Sequence, residues 1–576
     1  MSSKRRFPSK QQFKLLPRLM NRKERILLFT ASALFILSGI GTLIIADRNY
    51  STPIPAEGGS IKEGLIGTPH RINPLLAVSS VDRDLVELIY AGLMRADGKG
   101  GLEVELAESY EVSEDGLVYT FWLKKDLYWH DNDVHENERV DADDVIFTIM
   151  ATKNPLIDSP KRANWEGVSV EKVDEYTVRF ILKRPYTPFL ENTTLGIIPQ
   201  HIWGKLTPEK FNLTDLNITP IGAGPYKVES FKKKPDGEIV DYNLVAHKKY
   251  KPRSPYINEL SFFFFPSEER MIQAYKNGDI DTFSISSDNA SQITNDNTYK
   301  LLRITLPRIF TIFLNQSKSK LFEDEMVRLA LESALDRNDI INTAVNGYAY
   351  PQDAPIFYTT SNKTSINSNA IPKSEVKSRL LENGWEENEN GILQKETKKE
   401  VISLSFTLST SDDPELIRIA EALKRQWKKA GITANVEIFE RNDLEQNKIR
   451  PREYEAILFG QVVGFRPDPF AFWHSSQRND PGLNIALYTN PKVDSLLEEI
   501  RVNTDREILN EKYGAFVNII NEEKPAIFLY SPVYLYFVKK DIQGIALERI
   551  TLTAERFTKV EQWYKNVSNV WNILLK

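Results

Sequence analysis

At 576 residues the chain is longer than one hydrophobic core supports, so two or three domains are expected, and 41% hydrophobic with 27% charged residues is the balance of a globular fold. Nine bases and one acid occupy the first 25 residues, which leaves 65 bases and 78 acids, a net of −13, over the remaining 551. So acidic a body lacks the clustered Lys and Arg that neutralise a phosphate backbone, which excludes nucleic acid as a partner, and the absence of cysteine excludes disulfides, thiolate chemistry, Cys-based metal sites and a lipid-bearing N-terminal cysteine.

The basic segment 1–25 precedes an uncharged run, Ile26 to Ala46, whose 21 residues would rise about 32 Å as a helix, enough to cross a bilayer. The bases on its N-terminal side place that end in the cytoplasm and everything after it outside. The competing reading is a cleaved signal peptide, but Ile44 stands where cleavage near Ala46 requires a small residue. Residues 47–57, with Ser51, Pro53 and Pro55, read as a linker.

Beyond it the pattern is mixed α/β. Leu85, Ile89 and Leu93 recur at helical spacing over Asp82 to Met94, and strict alternation marks strands over Tyr119–Leu123 and Tyr176–Leu182, with a turn at Glu114-Asp115-Gly116. His130 and His135, separated by Asp131 and Asp133, read as a solvated hairpin tip or a weak metal patch. Pro220-Ile-Gly-Ala-Gly-Pro-Tyr226 predicts a rigid turn whose glycines take positive φ, and Pro414 to Ala430 predicts an amphipathic helix closed by Gly431.

Enzymatic signatures are missing. The six histidines form no H-E-x-x-H pair, no G-x-S-x-G elbow is present, and no Walker lysine follows the glycine-rich turn. Adjacent acids such as Asp143-Asp144 are too common to imply a glycosidase. The expectation is a protein without catalysis, cofactor or metal.

Gly67-Thr-Pro-His-Arg-Ile-Asn-Pro-Leu75, Leu106 to Gly116, Tyr119 to Asp131, Val140-Asp-Ala-Asp-Asp-Val-Ile-Phe147, Ile198-Pro-Gln-His-Ile-Trp203, Gly278-Asp-Ile-Asp281 and Asn484-Ile-Ala-Leu-Tyr488 follow one another in an order that resembles family 5 of the ABC-transporter extracytoplasmic solute-binding proteins, the oligopeptide, dipeptide and nickel class. The resemblance implies an α/β, two-lobed periplasmic-binding-protein-like fold with an inserted subdomain, here preceded by one transmembrane helix. It divides the chain into 58–99 (first lobe), 100–205 (inserted subdomain), 206–305 (first lobe), 306–529 (second lobe) and 530–576 (return to the first lobe). It further implies a receptor that closes on a peptide or peptide-like ligand and delivers it to the permease subunits of an ABC importer. Alternatives are a membrane-anchored sensor, a holdase-like chaperone, or a binder of a nickel chelate, an oligosaccharide or haem.

In that family the ligand's amine is held by an acid about three residues before an acid-Pro pair. The pair here is Asp468-Pro469, and Phe465 stands at the acid's position. Phe465 is then a stacking platform or a core ring, and Arg466 a carboxylate ligand or a surface charge. Asp468 caps a turn or meets an amine, Trp473 is a ligand platform or core, Asn484 bonds a peptide backbone or bridges loops, and Phe310 lines the cleft or packs in a strand.

Overall fold

The computed structural model describes residues 20–131, 136–251, 253–293, 296–357, 371–389, 391–397, 400–464, 467–503 and 505–572. They form two compact units, one of residues up to 58 together with those from 564 onward, the other of Gly59–Trp563.

In the first unit helix α1 (Arg22–Tyr50) continues beyond the apolar run, and over Arg22–Thr42 it is apolar enough to cross a membrane and uncovered by protein. Residues expected as a linker instead form strand β1 (Ser51–Ala56), which pairs antiparallel with a C-terminal strand of residues 566–571 from Ser51 opposite Trp571 to Ala56 opposite Asn566. Pro53 and Pro55 lack backbone N–H groups, which a two-stranded ribbon with one open edge on each strand tolerates.

The second unit begins with β2 (Ser60–Ile66) and α2 (Ser80–Ile89), capped by Ser79, whose side chain accepts from the Asp82 N–H. The helix stops at Ile89, five residues short of the sequence-based expectation, yet Leu93 remains buried. A short ribbon of β3 (Met94–Ala96) and β4 (Leu102–Val104) leads into β5 (Ala107–Val112), β6 (Val118–Leu123), α3 (Ala142–Lys153), β7 (Val168–Asp174) and β8 (Thr177–Leu182). Strands β5, β6, β8 and β7 make a separate four-stranded sheet around Phe121, Trp165 and Phe180, with the β5–β6 turn at Gly116 (φ 67°). The short helix α4 (Phe189–Asn192) follows.

Three antiparallel strands, β9 (Tyr226–Lys233), β10 (Ile239–Ala246) and β11 (Glu259–Phe265), join β2 in the main sheet, where β11 runs parallel to β2. Then come β12 (Thr282–Ser284), β13 (Tyr299–Thr305), β14 (Arg308–Leu314), β15 (Ala349–Pro351), β16 (Ser405–Ser411), helix α5 (Pro414–Lys429), β17 (Thr433–Phe439) and β18 (Ala456–Val462). Helices α6 (Phe470–Trp473), α7 (Pro491–Val502) and α8 (Arg506–Glu523) precede the 14-residue strand β19 (Ala526–Lys539), and β20 (Asn566–Trp571) is the strand paired with β1. The main sheet has twelve strands in the order β17-β16-β18-β14-β19-β12-β2-β11-β10-β9, with β13 and β15 also paired to β19.

Strand β19 explains how one sheet supports two lobes. Its first residues pair with β14, and there Ile527 and Leu529 face one core while Ala526 and Phe528 face another. Its last residues pair with β13 and β12, where Tyr536 and Val538 enter a third core and Leu535 and Phe537 a fourth. The period-2 alternation of a strand buried on both faces is thus used twice. Between the two stretches lie Ser531 and Pro532, beside Leu306-Pro307, the two residues that separate β13 from β14. Ser531 is fully buried and its Oγ donates to the Leu306 carbonyl at 2.6 Å, so both crossings are tied at one point.

Pro220 to Tyr226 is tight for a different reason from the one expected. Gly222 and Gly224 do not have positive φ. They lie against the end of α2, where a Cβ on Gly222 would fall 1.9 Å from the Ile89 carbonyl oxygen, and the Gly224 N–H donates to that oxygen at 2.8 Å. His130 is not a solvated hairpin tip. It is 3% exposed, exchanges backbone and ring hydrogen bonds with Gly222, and meets His247 edge-on at 4.8 Å. Burial, with each ring beside the other, holds His130 well below the ordinary imidazole range, and burial brings His247 down to about 4, so the pair is neutral. His135 lies outside the described residues.

Candidate functional site

A cavity of about 340 Å³ opens beside α2. Its walls come from α2, the β3–β4 ribbon, residues 161–165, α4 with the turn after it, and residues 549–555. The volume is at the small end of the roughly 300–1,000 Å³ range of small-molecule sites. From α2 the residues Arg83, Val86, Glu87 and Tyr90 face it, an i, i+3, i+4, i+7 set on one side of the helix, while Leu85, Leu88 and Ile89 are buried in the core on another.

The electrostatics of the cavity are uneven. Burial, followed by the neighbouring carboxylates of Glu105 and Glu555, pushes the Glu87 carboxyl up to about 8, and burial raises Glu555 to about 7. Glu555 accepts a backbone hydrogen bond from the Thr551 N–H at 2.7 Å. Arg95 is fully engaged: it donates to Glu103, Glu561, the Tyr250 hydroxyl and the Thr558 carbonyl. Lys161 is held below the usual ammonium range by burial and then by Arg83.

One helical turn links this cavity to the seam between the lobes, because Glu191 and Asn192 of α4 line it and Thr187 lies just before α4. Thr187 donates its N–H (3.3 Å) and its hydroxyl (3.0 Å) to the Arg501 carbonyl at the end of α7. The Arg501 guanidinium grips Asp468 through both nitrogens, with Nε to Oδ1 at 2.9 Å, lies 3.8 Å over the Phe470 ring, and stands 5.3 Å from the Tyr186 ring. Burial and then the Asp468 charge push the Tyr186 phenol up to about 12. A second bridge joins Arg418 of α5 to Asp288 at 2.9 Å.

The residues singled out from sequence fall in different places. Asp468 is bound to Arg501, so its carboxylate is already neutralised by a cation of its own lobe. Trp473 is 1% exposed and surrounded by Phe313, Tyr488, Phe516 and Phe528, which makes it a core ring. Asn484 is fully buried and bridges loops: its amide donates to the His474 and Tyr488 carbonyls and its oxygen accepts from the Tyr488 N–H. Phe310 stacks on Tyr530 at 4.9 Å, immediately beside the crossing. Phe465 and Arg466 lie outside the described residues.

Sequence reasoning missed Glu87, Arg83, Glu555 and Arg501. The first two carried one available signal, an aromatic Tyr90 set among charges on the polar face of an amphipathic helix.

The comparisons agree with this architecture. The chain is 29% identical over 512 residues to the oligopeptide-binding protein AppA of Bacillus subtilis (strain 168), covering 85% of this chain and 91% of the relative. The solved structure of AppA from Bacillus subtilis in complex with a nonapeptide superimposes with a TM-score of 0.67 at 26% identity, over 89% of this chain and 99% of that one. NikZ from Campylobacter jejuni in complex with Ni(L-His) matches with a TM-score of 0.68 at 26% identity, over 88% of this chain and 99% of that one. The profile described as bacterial extracellular solute-binding proteins, family 5 Middle, matches residues 101–482, from the four-stranded sheet through the β13–β14 link to beyond α6, so the chain belongs to the family 5 extracellular solute-binding proteins.

Proposed function

We propose that this family 5 receptor binds short peptides between its lobes and hands them to the permease of an ABC importer. The observation that carries the reading is the pair of crossings tied at Ser531 and Leu306, because two lobes whose chain crossings lie together can swing with few backbone changes, and Thr187 and Arg501 then meet across the seam. The lobes divide at 306 and 530 on this reading, with residues 100–205 as the insertion. Phe310, at the crossing, lies on the cleft floor. Asp468 contributes by holding Arg501 in place. The protein acts without catalysis.

Helix α1 remains as an uncleaved anchor, its basic N-terminus in the cytoplasm and the body outside. Mass spectrometry of the mature N-terminus tests this, and a start near Tyr50 contradicts it. The ligand reading is tested by native mass spectrometry of whatever co-purifies with the full chain, followed by thermal melting with a mixed pool of two- to five-residue peptides. Peptide masses and a raised melting temperature are expected. A co-purified metal chelate or haem, with no shift from peptides, overturns it.

A further inference from the structure

Opposite charges four residues apart on a helix ordinarily approach each other. Arg83 and Glu87 of α2 have that spacing and both face the cavity, yet among the described residues neither forms an ion pair. Arg83 Nε is buried with no acceptor. Tyr90, on the same face and 3% exposed, has a phenol oxygen with no partner either. A buried polar atom left unmade costs about 1–3 kcal/mol, and native structures carry few of them. Their grouping on one wall of one cavity is what a site for a missing polar partner looks like.

The unmet groups are sorted by sign. Arg83 has Lys161 as its neighbour, close enough that each opposes the other's charge. Glu87 has Glu555 and Glu105 as neighbours, and they raise its affinity for a proton. The cavity is therefore lined both by a pair of neighbouring bases and by a group of neighbouring carboxyls.

We propose that this cavity is a seat for a small dipolar solute, whose carboxylate is taken by Arg83 and Lys161 and whose ammonium is taken by Glu87 and Glu555. The proposal rests on the peptide reading above and goes beyond it: a small solute is recognised by its two charged ends in a cavity walled by residues 74–196 and 549–555, outside the 306–529 segment which that reading gives to the second lobe. The cavity volume suits a solute of one to three residues and excludes a long extended chain lying wholly inside. The Tyr90 hydroxyl supplies a further donor to the bound carboxylate or to a peptide carbonyl.

Protonation supports the same assignment. The groups facing Glu87 are Asp84 on its own helix, Glu105 and Arg95 from the β3–β4 side, and Glu555 from the 553–557 turn, and all but Arg95 disfavour its ionised form. Arg83, Lys161, Glu191 and Arg549 also line the cavity. An arriving ammonium supplies the positive charge that lets Glu87 lose its proton, so binding and proton release are one event.

The test is calorimetric titration of the full chain in detergent micelles with dialanine and trialanine, their N-acetyl forms and their C-terminal amides, repeated on Glu87→Gln and Arg83→Gln. Glutamine has the shape of a protonated Glu87, and Lys161→Gln replaces Arg83→Gln should the latter melt early. N-acetylation is expected to weaken binding to the native protein at least tenfold and to Glu87→Gln no more than twofold, and amidation is expected to behave likewise with Arg83→Gln. Free peptides that bind with the same capping penalties in native and variant proteins overturn the dipolar seat and leave the receptor reading standing. No binding of any free or capped peptide, by protein that melts normally, overturns both.

Discussion

Asp84 and Glu87 stand one turn apart on the same helix and meet opposite fates. Asp84 is held by Arg556, which is 1% exposed and also donates to Glu63 at 2.9 Å while lying 4.1 Å over the Phe557 ring. Every group in that network has a partner, and it ties α2 to β2 and to the 553–557 turn. Glu87 faces the cavity and, among the described residues, forms no ion pair, with Arg95 committed to other partners. A buried charge whose partners are all protein groups is architecture, whereas one left open on a cavity has room for a ligand.

The largest expected effect breaks the paired side of the comparison. Arg556→Met leaves Glu63 and Asp84 buried without a cation and should lower stability by about 3–5 kcal/mol in a urea titration. Glu87→Gln should melt at or above the native temperature and lower the affinity for free-amine peptides by about 10- to 100-fold, as expected for a charge-assisted hydrogen bond of about 1.5–3 kcal/mol. If the two variants exchange phenotypes, the distinction between the networks fails.

A third prediction concerns pH. The folded Glu87 pKa, about 8, lies above the unfolded value of 4.5, so the folded state binds the proton more tightly and this group's contribution to stability is lost as pH rises from about 4.5 to about 8. Native protein should therefore lose stability relative to Glu87→Gln over that window, by at most about 1.4 kcal/mol per pH unit. Parallel stability curves would place the charge elsewhere. The smallest effect belongs to the seam: Arg501→Ala removes the clasp on Asp468 and Tyr186 and should cost about 1 kcal/mol, or roughly fivefold in peptide affinity, with a larger radius in small-angle scattering.

The local patterns of the chain were legible. Alternation located β6 and β8 to within a residue, and helix α5 begins at Pro414 as its spacing and its Asp413 cap require, with Gly431 (φ 78°) just past its end. The ordered motifs named the family, which the profile match establishes independently. Partners distant along the chain were not legible. His130 reads as polar because its neighbours in sequence are acids, but its neighbours in space are Gly222, Gly224 and His247. The stretch after α1 reads as a linker because its pairing strand lies more than 500 residues away. Trp473 and Asn484 have the right chemistry for a ligand, and nothing in their local sequence reveals that the core uses all of it. The cavity was invisible for the same reason: Glu87 and Glu555 meet only after the chain has built both lobes and returned, and until then Arg83 and Glu87 look like the wet face of an ordinary helix.

The most direct measurement is the number of protons exchanged when trialanine binds the full chain at pH 7, obtained from titration calorimetry in buffers of different ionisation enthalpy. The account predicts saturable binding with a proton release that falls by close to one between the native protein and Glu87→Gln, Glu555 supplying what remains in the variant. Binding with no buffer dependence, or with the same proton release in both proteins, would contradict it.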